Sequence, residues 1–155
     1  MGKENSGAKK VRTPEVTHKI MSSIHSKNTR PELVLRKELW RQKIRYRVNY
    51  KKLPGKPDIA LTKYKIAVFC DGDFWHGHNW AIRGLGSLDE ELARYSDFWK
   101  KKILRNIERD EEDNKAIRAL GWTVVRIWES DIKADLPGCI QKIRQAISLV
   151  INDIE

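Results

Sequence analysis

The stretch over residues 53–78, LPGKPDIALTKYKIAVFCDGDFWHGH, constrains the fold of this chain more than any other part. Two short apolar runs, over residues 58–61 and 65–70, predict two strands joined as a hairpin near residues 62–64. An acidic cluster, two aromatic residues and two histidines follow the second strand. Few structural requirements would bring these residue types together. The stretch therefore predicts a divalent-metal site on a β-hairpin, with an aromatic wedge beside it.

The remaining elements predict one α+β (α/β) domain, a mixed β-sheet flanked by helices. Residues 1–12 read as a disordered basic tail, and residues 13–155 as the folded domain. Thr29-x-x-Glu32 matches a capping box that opens a helix ending at Gln42-Lys43. The other predicted elements are helices over 14–25, 97–120 and from Pro137 onward, strands over 45–50 and 123–128, and one helical turn at 88–94 in the loop 79–96.

The charge balance favours a polyanionic partner. Lys and Arg number 31 against 21 acids, a formal net charge of +10, and the chain holds six tryptophans that can stack on bases. The alternative is a basic protein that binds no nucleic acid. Cys70 and Cys139 stand apart in apolar contexts, which predicts a reducing compartment. Since no apolar run approaches the roughly 18 residues of a membrane span, we expect a cytoplasmic protein without a membrane partner.

The long helix predicted over 97–120 carries polar residues where apolar ones belong. Its apolar stripe holds Trp99, Ile103, Ile107 and Ile117. Asn106, Asp110 and Asn114 fall inside that stripe. Burying such groups costs several kcal/mol unless they find partners, so we interpret them as site residues. The alternative is a structural ion pair of Asp110 with Arg45, Arg47 or Arg126.

The hairpin itself supplies candidate ligands and a candidate base. Asp58, a backbone carbonyl and water suit Mg²⁺, which usually takes only one or two carboxylates. His76 is the natural base for activating water. Each residue also has a structural alternative, because Asp58 could make an Asx-turn and His76 and His78 could be exposed loop residues. Phe74 and Trp75 could belong to the core.

Four motifs resemble one known family of enzymes. PGKPD, VFCDGDFWHGH, FWKKKILRNIERDEEDN and LGWTVVRIWE are similar to the very-short-patch repair (Vsr) DNA mismatch endonucleases, which have the PD-(D/E)XK restriction-endonuclease-like fold. The likeness spans about residues 17–129 with the same element order. It implies a Mg²⁺-dependent enzyme that nicks one strand of duplex DNA, 5′ to the thymine of a T:G mismatch left by deamination of 5-methylcytosine.

The resemblance also implies a role for each matching residue. Asp58 matches the metal-binding aspartate, and Cys70 offers its backbone carbonyl to the metal. His76 matches the histidine that activates water, and Asp110 the acid that supports it. The remaining matches are Glu32 and Asn106 as further active-site residues, Phe74, Trp75 and Trp99 as the DNA wedge, and Lys19 and Met21 in the segment that contacts the other groove.

The chain departs from the family at two places. Where members bind a structural zinc with three cysteines and a histidine, it carries Asp73, His78, Trp80 and Ser130. We therefore predict no structural zinc, with Trp80 filling that space by packing. The second active-site histidine of the family is Asp71 here, which could add a carboxylate ligand to the metal.

Two rival functions stay open at this point. A nuclease of the same fold could cut paired DNA, as restriction enzymes do, or branched DNA. A catalytically inactive module could only bind nucleic acid. We expect a monomer that acts on double-stranded DNA, and the sequence does not reveal whether mismatch-repair proteins are partners.

Overall fold

One interior strand of the sheet, over residues 66–71, is apolar up to its final aspartate, and the other elements pack around it. In the computed structural model, which describes residues 28–154, the strands are β1 (Arg47–Val48), β2 (Ile59–Leu61), β3 (Ile66–Asp71) and β4 (Thr123–Trp128). The helices are α1 (Arg30–Arg41), α2 (Asn79–Ile82), α3 (Leu88–Leu92), α4 (Asp97–Ala119), α5 (Glu129–Ala134) and α6 (Leu136–Ile154).

The sheet is mixed and has the order β1-β2-β3-β4. β1, β2 and β3 pair antiparallel, whereas β3 and β4 pair parallel. Two parallel neighbours require a crossover, and the long helix α4 supplies it. The predicted fold, a mixed sheet flanked by helices in one domain, is confirmed.

Side-chain alternation along β3 divides the core into two layers. Ile66 and Val68 face the larger cluster, which α1 and α6 complete with residues such as Leu35 and Ile143. Ala67 and Phe69 face a smaller cluster. The same alternation places Asp71 on the face of Phe69, and that face packs against α4.

The hairpin forms one step further along the chain than predicted. Its turn covers residues 62–65, with Lys65 at φ +54°, and Ala60 pairs with Ala67. β2 begins at Ile59, which leaves Asp58 just before the strand. The predicted strand over 45–50 is reduced to Arg47–Val48, because Asn49 adopts φ +46°.

Other boundaries were predicted with mixed success. α4, β4 and the short helix α3 lie within a residue or two of their predicted positions. The helices α2 and α5 were not predicted. The tail over 1–12 and the helix over 14–25 lie outside the described residues. No helix within residues 28–154 combines the length and the apolar character that crossing a membrane requires.

The capping box at Thr29 and Glu32 is wrong. Thr29 lies at the N-cap position of α1, but its side chain makes no capping hydrogen bond there. Its Oγ1 donates to Oε1 of Glu129 at 3.1 Å, and Glu32 pairs with Arg36. Tertiary partners have replaced the local ones that the spacing suggested.

Candidate active site

The predicted hairpin residues meet the predicted helix residues at one edge of the sheet. Asp58 lies before β2, Cys70 and Asp71 end β3, and Asp110 lies midway along α4. A cleft of about 260 Å³ is lined by Asn49, Gly55, Lys56, Asp58, Phe69, Cys70, Asp71, His76, Asp110, Asp113 and Arg126. A larger cleft of about 740 Å³, between the end of α1 and α6, has no acid or histidine among its described lining residues.

Asp58 is tied to the end of β3. Its Oδ2 accepts a hydrogen bond from the backbone N–H of Cys70 at 2.8 Å. The pKa of Asp58 is raised to about 7. Burial is the main cause, the nearby carboxylates of Glu32 and Asp71 also raise the pKa, and the Cys70 hydrogen bond lowers it. A buried acid surrounded by other acids is a position that favours a bound cation.

Glu32 brings a further carboxylate to the same region from α1. It is buried, with 1% of its surface exposed, and it forms an ion pair with Arg36 one turn along the helix. Its charge contributes to the raised pKa of both Asp58 and Cys70. The structure thus brings Glu32 into the electrostatic environment of the hairpin acids.

His76 is held between two carboxylates. Its Nδ1 is hydrogen-bonded to Oδ2 of Asp110, and its Nε2 lies 3.8 Å from Oδ1 of Asp71. Burial lowers the pKa of His76, but the Asp110 hydrogen bond and the charge of Asp71 outweigh burial, so the pKa is raised overall. One atom from each of Asp71, His76 and Asp110 lies within 4.8 Å of the other two, an arrangement that could hold a metal ion.

The loop that carries His76 is fixed to α4. Asn106 Nδ2 donates to the carbonyl of Trp75 at 3.1 Å. Gly77 has φ +71°, a conformation that strains any other residue, and a Cβ there would also lie 2.9 Å from Cδ1 of Ile107, which would have to shift.

Arg126 is the arginine that pairs with Asp110. The sequence left three arginines open as partners, and NH1 of Arg126 lies 3.4 Å from Oδ1 of Asp110. Arg45 lies instead over the ring of Trp40, at 3.8 Å from the centroid. The signal in the sequence was a single charge within the apolar strand TVVRIW.

The predicted wedge aromatics form one cluster. Phe74, Trp75 and Trp99 contact one another edge to face, with centroids 5.4–5.6 Å apart. Trp99 is 8% exposed, so it lies at the base of the cluster, whereas its neighbour Phe98 is 54% exposed. Sequence reasoning missed Phe98, although FW is a dipeptide of adjacent rings. Lys19 and Met21 lie outside the described residues.

The positions that correspond to the family's zinc site form a hydrogen-bonded network. Asp73 accepts from the backbone N–H and the Oγ of Ser130, at 3.1 and 2.7 Å. His78 Nδ1 is hydrogen-bonded to Asp73 at 2.7 Å, and its ring stacks on Trp128 with centroids 4.0 Å apart. The ring that packs against His78 is therefore Trp128 and not Trp80. The backbone N–H of Trp80 donates a hydrogen bond to the carboxylate of Glu91.

Comparisons with known proteins agree with this arrangement. The sequence profile described as DNA mismatch endonuclease Vsr matches residues 9–82. Type II nicking enzyme V.NmeDIP of Neisseria meningitidis serogroup C is 44% identical over 135 residues, 87% of this chain and 88% of the relative. Type II nicking enzyme V.HpaIIP of Haemophilus parainfluenzae is 39% identical, over 87% of this chain and 93% of the relative. DNA mismatch endonuclease Vsr of Escherichia coli (strain K12) is 34% identical, over 74% and 70%.

The mixed sheet with acids and a histidine at one edge defines a DNA endonuclease with a restriction-endonuclease-like α+β fold. The chain belongs to the Vsr family of DNA endonucleases, and the resemblance of its motifs to that family is confirmed.

Proposed function

We propose that this protein is a Mg²⁺-dependent endonuclease that nicks one strand of duplex DNA at T:G mismatches. The observation that carries the proposal is the hydrogen bond between His76 and Asp110 in the same small cleft as Asp58. Phosphodiester hydrolysis can use a general base that a carboxylate orients, together with a metal ion that a nearby acid binds.

The donor set around Asp58 fits a hard cation. Its carboxylate is buried among the charges of Glu32 and Asp71, and burial, with these two charges, raises its pKa. The N–H and C=O of a residue in an antiparallel pairing face the same neighbouring strand, so we expect the carbonyl of Cys70 to lie on the side of Asp58. When bound there, Mg²⁺ would polarise the scissile phosphate and stabilise the leaving oxygen.

His76 is the proposed base. Asp110 binds its Nδ1, which fixes the ring orientation and leaves Nε2 as the nitrogen that can accept a proton from water. Asn106 holds the loop backbone one residue before His76, so it supports the orientation of the ring. Because the pKa of His76 is raised, nicking should increase with pH as the ring loses its proton.

The aromatic cluster is the proposed DNA wedge. Phe74 and Trp75 supply rings on a loop beside the cleft, and Trp99 supports them from below. Inserting rings between bases costs stacking energy, and this cost is lower beside a weakly stacked mismatch than beside a matched pair. We assign Lys19 and Met21 to contacts with the opposite groove. The net charge of +10 suits the DNA backbone.

The names of the relatives support both parts of the substrate assignment. Several relatives, including those from Neisseria meningitidis and Haemophilus parainfluenzae, are named type II nicking enzymes, which favours cleavage of one strand. The relative from Escherichia coli is named a DNA mismatch endonuclease, which favours mismatched duplex as the substrate. We propose that the protein acts on chromosomal DNA in the cytoplasm as a monomer.

A panel of substrates tests this proposal. Duplexes of one sequence that contain a single T:G pair, the matched C:G pair, or a branch should be incubated with and without Mg²⁺ and resolved on a denaturing gel. We expect one nick, 5′ to the mismatched thymine, and only with Mg²⁺. Preferential cleavage of the matched or branched duplex would favour a restriction or structure-specific nuclease, and Mg²⁺-dependent binding without cleavage would favour an inactive binding module.

A further inference from the structure

Arg126 projects from β4 into the middle of the active-site acids. It pairs in register with Phe69 of β3, and its guanidinium lies 4.1 Å from the centroid of the Phe69 ring. Its side chain is only 19% exposed. Packing over the ring restricts the orientations open to the guanidinium, whose N–H groups then meet fixed partners.

The N–H groups of Arg126 reach both carboxylates that flank His76. NH1 donates to Oδ1 and Oδ2 of Asp71 at 2.9 and 3.2 Å, and it lies 3.4 Å from Oδ1 of Asp110. On its other side, Nε donates to Oδ1 of the buried Asn114 at 2.8 Å. Asn114 thus fixes the guanidinium, and the guanidinium fixes the two acids.

This arrangement changes what the cluster of Asp71, His76 and Asp110 can bind. Its three groups have the spacing of a metal site, but the fixed positive charge of Arg126 already touches two of them. A divalent ion within bonding distance of both carboxylates would lie only a few ångströms from that charge, and the two positive charges would repel each other strongly in a partly buried site. The guanidinium of Arg126 therefore takes the place of a cation beside Asp71 and Asp110.

We propose that Arg126 is a positioning residue that replaces a metal ion in this half of the active site. It holds Asp71 and Asp110 on either side of His76 and restricts the divalent ion to the side of Asp58. Asp71 is then a partner of Arg126 and not a ligand of the metal. This inference rests on the proposed function only in assigning the metal to Asp58.

Electron paramagnetic resonance can measure the binding of Mn²⁺ to the full-length protein without DNA, and this measurement tests the assignment. We expect Asp71→Asn to bind Mn²⁺ within about threefold of the wild type, whereas Asp58→Asn should bind at least tenfold more weakly. Arg126→Gln should gain one further bound Mn²⁺ through the released Asp71, and the double variant Arg126→Gln/Asp71→Asn should lose it again. Arg105→Gln is the matched control, since Arg105 pairs with Glu108 on the exposed side of α4.

Two results would overturn the proposal. One is a loss of Mn²⁺ affinity in Asp71→Asn as large as that in Asp58→Asn, and the other is an Arg126→Gln variant that folds and gains no ion. If Arg126→Gln does not fold, as judged by its thermal transition, the comparison of Asp71→Asn with Asp58→Asn decides alone. A wild-type protein without a Mn²⁺ site at Asp58 would refute the proposed metal site, and the Arg126→Gln comparison would still decide the role of Arg126.

Discussion

The backbone N–H of Cys70 donates a hydrogen bond of 2.8 Å to Oδ2 of Asp58, which joins two residues 12 positions apart across the hairpin. This bond fixes the position of a buried acid relative to the end of β3. The other side chains of the site come from α1, from the end of β3 and the loop after it, from α4 and from β4. The position of Asp58 relative to these side chains therefore depends on the geometry of the hairpin.

Asp58 should make stability depend on pH when no metal is present. Its pKa in the folded protein, about 7, lies above its ordinary value of 3.8, so the folded state binds this proton more tightly than the unfolded state. The free energy of unfolding contributed by Asp58 is therefore present below pH 4 and is lost as the pH rises to about 7. Asp58→Asn removes this loss and should be more stable than the wild type at pH 8 by about 1–3 kcal/mol.

Urea unfolding in EDTA at pH 4 and pH 8 measures this difference. The asparagine keeps an oxygen that can accept the Cys70 hydrogen bond, so the comparison isolates the charge. Equal stability of the two proteins at pH 8, or a less stable variant, would contradict the idea that ionising the buried Asp58 destabilises the protein.

Asp110 should matter for catalysis through His76. Asp110→Asn weakens the hydrogen bond that orients the ring, and we expect single-turnover nicking of a T:G duplex to fall about 100-fold. Because the two residues act together, the double variant Asp110→Asn/His76→Ala should be little slower than His76→Ala alone. Glu111→Gln, an exposed neighbour on the same helix, is the control and should nick normally. Additive losses in the double variant would show that the two residues act independently.

Trp75 should determine the preference for mismatched DNA. We expect Trp75→Ala to lower the ratio of nicking at T:G to nicking at the matched pair by about tenfold, on the basis of roughly 1–3 kcal/mol for ring–base contacts. Affinity for matched duplex should change much less. Trp40→Ala is a suitable control, because Trp40 is 54% exposed and makes its ring contacts with Arg45 and Tyr46. Equal losses on both substrates would refute the wedge.

Asp73 should stabilise the segment where the family carries zinc. Asp73→Ala leaves Ser130 and His78 without their hydrogen-bond acceptor, and we expect a loss of about 2 kcal/mol or more in urea unfolding. Ser130→Ala should cost less, since the backbone N–H of residue 130 keeps its bond. Asp153→Ala, at an exposed position in α6, should change little. Stoichiometric zinc in the purified protein would contradict a network that replaces the metal.

Much of the fold was predictable from the chain, because the hairpin residues and α4 have strong local patterns. The polar residues within the apolar stripe of α4 correctly marked where Asp110 and Asn106 meet the hairpin loop. Local patterns failed where tertiary partners compete with neighbours. Thr29 bonds to Glu129, 100 residues away in the chain, in preference to its own helix.

The arginine at the site shows the same limit. Three arginines had the reach and charge to meet Asp110, and only the pairing of β3 with β4 brings Arg126 beside both Asp71 and Asp110. Trp99 is likewise buried because other rings pack over it, and the sequence does not show which ring of the cluster lies deepest.

Asp58 is proposed to hold the metal for strand cleavage, and the variant Asp58→Ala tests this role. A duplex with one T:G pair, labelled at one end of each strand, should be incubated with wild-type and variant protein in Mg²⁺, with binding measured in parallel. We expect the wild type to nick 5′ to the thymine and Asp58→Ala to bind the DNA without nicking it. Nicking by Asp58→Ala at the wild-type rate would contradict this role.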